Sequence, residues 1–227
     1  MSLKSNNFTI ISIEGNIGSG KTTLIENLKE HYKDNNEIIF LKEPVDEWEL
    51  IKDSNGVTIL EKFYENQEKY SFSFQMMAYI SRLNVLRTTL KSLDANKKYT
   101  LITERSLNTD RYVFAKMLFE TGKIEEINYQ IYLNWFDAFS EEFPVHKIVY
   151  VKAYSEICHT RICKRSRKGE NIIPLSYLNS CHSYHENMIE NNIVQNIETI
   201  VLDGNINIYE NTSQIEKWIE QINTFII

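Results

Sequence analysis

Gly15-Asn16-Ile17-Gly18-Ser19-Gly20-Lys21-Thr22 fits the pattern G-x-x-x-x-G-K-[ST], and its flanks decide how it is read. Upstream, Phe8-Thr9-Ile10-Ile11-Ser12-Ile13 is a β-branched apolar run of buried-strand length. Downstream, Leu24, Ile25 and Leu28 have helical spacing. Strand, glycine loop and helix in that order make a phosphate-binding P-loop. Its glycines let backbone N–H groups curl around phosphate oxygens, and the helix N-terminus adds partial positive charge. In such a loop Lys21 reaches the terminal phosphates and Thr22 ligates magnesium. A chance Gly-rich turn would have neither flank.

The 227 residues suffice for one substantial α/β domain spanning 1–227, with no linker, repeat or low-complexity tract to divide it. A net charge of −6 argues against non-specific nucleic-acid binding, which wants a basic face. Cys158, Cys163 and Cys181 form no even framework, so reduced thiols and a cytoplasmic setting are expected. No stretch reaches membrane-spanning length, and Met1–Asn7 is too short for a signal or transit peptide.

Further strands are expected at Glu37–Lys42, Tyr99–Thr103, Lys147–Lys152 and Thr199–Asp203, separated by helical patterns. That alternation predicts a five-stranded parallel sheet with helices on both faces. Pro44 stops the second strand and leaves Glu43 at its C-terminal end, the ligand edge of an open parallel sheet. Residues 50–66 read as mixed, with a loop at Asp53–Gly56. From about Tyr70 to Leu93 runs the longest helix, on which Gln75, Ala78 and Arg82 share a face. Its apolar surplus, with that of a helix from about Ile124 to Phe143, predicts a homodimer. The third strand ends in Glu104-Arg105-Ser106, and Asp110 opens the next helix.

The P-loop alone says only nucleoside triphosphate. Asn96-Lys97-Lys98-Tyr99 lacks the aspartate of a guanine-reading motif. Arg161, Lys164, Arg165, Arg167 and Lys168 form a dense basic run before Gly169-Glu170, either a solvated face or a cationic flap over a phosphate chain. Cys158-His159, Cys163, Cys181-His182 and His185 do not have the spacing of a zinc site and read as ordinary helix residues.

Seven motifs in sequence order resemble the deoxynucleoside kinase family: the loop 15–22, Glu-Pro-Val…Trp (43–48), Ser-Phe-Gln (73–75), Glu-Arg-Ser (104–106), Asp-Arg-Tyr-x-Phe-Ala (110–115), Arg-x-x-x-Arg-x-Arg (161–167) and Ile-Pro-Leu-x-Tyr-Leu (173–178). Each is weak alone, and their joint order is specific. The resemblance implies a P-loop NTPase fold with a helical lid at about 161–171. It also implies transfer of a phosphoryl group from ATP, with Mg²⁺, to the 5′-hydroxyl of a deoxynucleoside. Glu43 then looks like the general base and Arg105 its partner, with Lys21, Arg161 and Arg165 serving the transferred phosphate. Gly15, Asn16, Ile17, Gly18, Ser19, Gly20, Lys21, Thr22 and Thr23 would bind the nucleotide together with Arg161, Arg165, Arg167 and Asp203. Thr22 and Glu104 resemble the magnesium residues. Tyr64 and Glu170 match the pair on the 3′-hydroxyl, and Gln75 matches the residue on the base, between Phe74 and Phe114. Ile17, Val45, Trp48, Leu60 and Phe63 would surround the pocket.

Where thymidine-preferring members have apolar residues, this chain has Arg82 and Asp110, with small Ala78 nearby. That resembles the branch acting on deoxycytidine and purine deoxynucleosides. The alternative for the pair is a bridge between a helix and a loop. Two other readings stand beside the kinase. A thymidylate kinase-like enzyme would accept a phosphate and want another cation near strand two. A non-catalytic structural relative should have lost Lys21, Glu43 or Arg105, and all three are present.

Overall fold

A computed structural model describes residues 7–165, 170–194, 196–211 and 213–226. Arg167, Lys168 and Gly169 of the expected lid lie outside them. β1 (Phe8–Glu14) passes through the glycine loop into α1 (Lys21–His31). β2 (Ile38–Leu41) is followed by α2 (Val45–Trp48), α3 (Ile59–Glu65) and α4 (Gln67–Ser92). β3 (Tyr99–Glu104) leads into α5 (Leu107–Thr109), a π-helical turn at Asp110–Ala115, α6 (Lys116–Glu120) and α7 (Glu126–Phe139). β4 (Lys147–Lys152), α8 (Ser155–Arg165), α9 (Leu175–Val194), β5 (Glu198–Asp203) and α10 (Ser213–Ile226) complete the order.

The five strands form one parallel sheet in the order β2-β3-β1-β4-β5, the architecture of a P-loop NTPase. Strand periodicity sorts its two faces. Ile11 and Ile13 pack with Leu24, Leu28, Trp218 and Ile222 of α1 and α10. Ile10 and Leu101 face the other way, against Tyr79, Leu83, Tyr132 and Phe136 of α4 and α7. Because β1 is central, between β3 and β4, the loop after it lies beside the end of β3, with Ile13 paired to Glu104, and β2 is one strand further out. Crossovers in a parallel sheet thus deliver the loop, Glu43 and Glu104–Arg105 to one edge.

Some local structure departs from expectation. Helix α3 falls within the stretch read as mixed, and a capping box starts it: Thr58 Oγ1 accepts from the Glu61 N–H, and Glu61 accepts from the Thr58 N–H. The helical segment after β3 opens at Ser106, which caps α5, four residues before Asp110. No helix among the described residues is long and apolar enough to cross a membrane.

Candidate active site

The C-terminal ends of β1, β2 and β3 open on a cavity of about 860 Å³. The phosphate loop forms one end. Lys21 is buried there and donates to the Asn16 carbonyl at 2.7 Å. Burial, with Arg105 adding to it, pulls the Lys21 ammonium down to about 8. Thr22 Oγ1 donates to Glu104 Oε1 at 2.8 Å, so a hydroxyl and a carboxylate stand together at the foot of the loop. Both are the hard oxygen donors that Mg²⁺ takes, and they fit such an ion.

Two helices hold the loop. At Gly18, where φ is +78°, a Cβ would stand 2.6 Å from the Cys158 carbonyl oxygen of α8. Only glycine permits both that backbone and that approach. From α9, the Leu178 carbonyl accepts from Asn16 Nδ2 at 2.9 Å, while Asn16 Oδ1 accepts from the Ile17 N–H.

The acidic centre is Glu43. Its Oε1 accepts from Arg105 Nη1 at 2.6 Å and from Arg82 Nη2 at 3.0 Å. Burial opposes the charge, but Arg105, Arg82 and Lys21 outweigh it and hold the carboxyl at about 2. Both arginines fall on one oxygen, so Oε2 takes no arginine among the described residues. Arg105 adopts a left-handed backbone, φ 62°, uncommon for a side chain of its size, and its guanidinium lies 5.2 Å from the centre of the Phe114 ring. Arg82 also holds Asp110, through Nε at 2.8 Å and Nη2 at 3.3 Å, and donates from Nη1 to the Glu104 carbonyl at 2.6 Å. Asp110 lines the cavity, and Arg82 stands one layer behind it.

The other end is apolar. Phe63 and Phe74 stack at 4.5 Å, Trp48 meets Phe74 edge-on at 5.5 Å, and Val45, Leu60 and Ala78 fill the wall. Within it Gln75 is only 2% exposed and its amide bonds to no described residue, although it lines the cavity. A buried amide free of protein partners suits a ligand with matching donors and acceptors.

Of the expected residues, Ile17 to Thr23, Glu43, Val45, Trp48, Leu60, Phe63, Tyr64, Phe74, Gln75, Ala78, Glu104, Arg105, Asp110, Phe114, Arg161, Arg165 and Glu170 line this one cavity. Gly15 and Asn16, at the start of the loop, are not among the lining residues. Asp203 is not among them either; it is exposed, and its Oδ1 accepts from the Asn205 N–H and side chain. Arg161 donates to the carbonyls of Ser19, Gly204 and Ile206, and Arg165 pairs with Glu170. Sequence reasoning missed the stretch Gly204–Tyr209, which closes the phosphate end, and Tyr177, which meets Tyr64 edge-on at 6.2 Å. Tyr177 sits inside a motif already quoted; the turn after β5 carries no signal beyond its Asn and Gly residues. Among the described residues no group of three or more His, Cys, Asp or Glu is placed to hold a metal. His185 is buried with Nδ1 on the Cys181 carbonyl at 2.7 Å, and burial first, then Arg105, pulls it down to about 3.

Comparison with known proteins agrees with this geometry. The family model described as deoxynucleoside kinase matches residues 11–227. Deoxycytidine kinase 1 of Xenopus laevis is 32% identical, over 95% of this chain and 89% of its own length. Human deoxycytidine kinase is 33% identical, over 95% and 90%. Human mitochondrial thymidine kinase 2 is 31% identical, over 78% and 63%. A phosphate loop, an anionic carboxylate and an apolar base-sized wall in one cavity, matched along nearly the whole chain, place this protein in the deoxynucleoside kinase family, as an ATP-dependent deoxynucleoside kinase.

Proposed function

We propose that the nucleoside lies with its base against Gln75, between Phe74 and Phe114, and its 3′-hydroxyl on Tyr64 and Glu170. Its 5′-hydroxyl then meets Glu43. The observation that carries this reading is the Glu43 carboxylate, one oxygen held by two arginines and the other free of them, in the same cavity as Lys21. A hydroxyl is a poor nucleophile until a carboxylate within hydrogen-bond reach takes its proton. Glu43 Oε2 accepts that proton as the 5′-oxygen bonds to the γ-phosphorus. The bond from phosphorus to the β–γ bridging oxygen breaks, and its electron pair leaves with ADP. Lys21, Arg161 and Arg165 balance the charge that spreads over the transferred group, once Lys21 turns from the Asn16 carbonyl to phosphate. Thr22 and Glu104 would hold Mg²⁺, whose chemistry is neutralisation of phosphate charge.

For the base, we infer that deoxycytidine and purine deoxynucleosides are favoured over thymidine. Asp110, fixed by Arg82, presents a polar edge to the cavity beside Ala78, and unmatched buried polar groups reject the wrong base. The similarity to deoxycytidine kinases supports the same branch. A coupled phosphorylation assay with ATP across the four deoxynucleosides and dTMP tests the whole reading. Turnover of dTMP alone would select the thymidylate kinase alternative, and a thymidine preference would overturn the base assignment.

The unit that works is a homodimer on this reading. Ile127, Ile131 and Trp135 recur every fourth residue of α7 and are 71%, 41% and 49% exposed, with Ile80 of α4 exposed as well. A cytoplasmic setting is supported by Cys158 and Cys181, both buried and outside any disulfide.

A further inference from the structure

Ser12 and Glu14 break the pattern of β1. By the period of the strand they face the side of Ile10, where α4 and α7 supply an apolar layer, yet both are polar and fully buried. Three hydroxyls close on the Glu14 carboxyl group. Ser12 Oγ donates to Oε1 at 2.5 Å, Ser106 Oγ to the same oxygen at 2.7 Å, and Thr109 Oγ1 to Oε2 at 2.5 Å. Burying a carboxyl group is costly, and an apolar side chain would fill position 14 without that cost. Local rules broken in this way mark places where something other than stability is served.

What the group fixes is the segment 104–110. Ser106 and Thr109 are also the two residues that cap α5, with the Thr109 N–H on Ser106 Oγ at 3.3 Å and the Ser106 N–H on Thr109 Oγ1 at 3.4 Å. Ser106 directly follows Arg105, whose left-handed backbone needs outside support. Thr109 directly precedes Asp110. Glu14 itself directly precedes Gly15, where the phosphate loop begins.

We propose that Glu14 is a positioning residue for the transfer. Through Ser106 and Thr109 it sets Arg105 on Glu43 and Asp110 on Arg82, in register with the phosphate loop that starts one residue later. The inference rests on the function proposed above, which puts Arg105 and Glu43 at the reacting hydroxyl.

Three variants of the full chain test it: Glu14→Gln, Thr109→Val, which removes one hydroxyl, and Thr109→Ser, which keeps it. The readouts are kcat, KM for ATP and for the preferred deoxynucleoside, and the thermal midpoint. We expect Glu14→Gln and Thr109→Val to lose about tenfold or more in kcat, since small misplacements cost that much, with KM for ATP within about twofold. Thr109→Ser should stay within about threefold of wild type. The proposal is overturned if Thr109→Val keeps more than about half of wild-type kcat, if Thr109→Ser falls as far, or if KM for ATP rises in proportion to the loss. Should Glu14→Gln not fold, Thr109→Val decides, because it leaves the carboxyl group two of its donors. Should neither fold while Thr109→Ser is active, the tie is structural and the proposal fails. A wild type that phosphorylates no deoxynucleoside would instead overturn the proposed function, so the two failures are distinct.

Discussion

Glu43 owes its charge to Arg105 and Arg82, which overcome its burial. Glutamine at this position keeps an oxygen for the arginines and cannot take a proton. Glu43→Gln should therefore lose about a hundredfold or more in kcat, the usual cost of a missing general base. Nucleoside binding, read by calorimetry, should survive; a variant retaining half of wild-type kcat would remove Glu43 from that role. The pH profile carries a second expectation. With its carboxyl held at about 2, Glu43 is ionised in the folded protein throughout the neutral range, and any stability it adds is lost only as pH falls towards 2. Lys21 behaves oppositely, since burial and Arg105 put its folded value near 8, below that of a free lysine. Its charge is present below pH 8 and disappears above, so kcat/KM for ATP should fall as pH rises through about 8. In kcat the same limb should move upward, because bound phosphates favour the ammonium. A flat kcat/KM between pH 7 and about 9.5 would contradict this. Glu43 is legible in sequence because Pro44 ends the strand behind it, whereas Glu14 and Thr109 are not. Nothing in their neighbours along the chain says that a strand and a capped turn meet.

Helix α4 brings Gln75, Ala78 and Arg82 to one side, as their spacing implies, and buries all three. The contacts of Arg82 with Glu43 and the Glu104 carbonyl are legible nowhere in that spacing, since they depend on how β2 and β3 lie beside the helix. They change what a specificity variant should do. Removing Arg82 alone leaves the buried Asp110 carboxylate without its guanidinium, a cost of about 3–5 kcal/mol, and activity should fall on every nucleoside. Removing Asp110 alone leaves Arg82 on Glu43 and the Glu104 carbonyl, and the loss should be smaller. Replacing both, as Arg82→Met with Asp110→Ala and Ala78→Val, removes that cost and makes room for a 5-methyl group. The ratio of kcat/KM for thymidine to that for deoxycytidine should rise, while absolute kcat drops because Glu43 has lost one of its arginines. An unmoved ratio would make the pair structural. Helix α3 shows the opposite kind of omission: Thr58-Ile59-Leu60-Glu61 is a legible capping signature, but seven residues are too few for a helical period to stand out.

At the scale of the molecule, all five strands are legible as apolar runs, because both faces of a parallel sheet are covered. Their order is not, since pairing in space leaves no mark on neighbouring residues. The exposed stripe of α7 bears on assembly. Light scattering at micromolar concentration should give about twice the chain mass of 26.8 kDa, and Ile127→Glu with Ile131→Glu should halve it. A wild-type monomer would reject the dimer. The grip on the phosphate loop has a different consequence. Gly18 rests on α8, which carries Arg161 and Arg165, and Asn16 is tied to α9 one residue beyond Tyr177, at the acceptor end of the cavity. A loop rearranged by one substrate therefore resets the wall that meets the other. Thermodynamic reciprocity then requires a single coupling factor: a non-hydrolysable ATP analogue should tighten deoxynucleoside binding by the same ratio as the deoxynucleoside tightens the analogue. Gly18→Ala, which pushes α8 away, should bring that ratio towards one in titration calorimetry, and two substrates that ignore each other in the wild type would show the loop to be a passive floor.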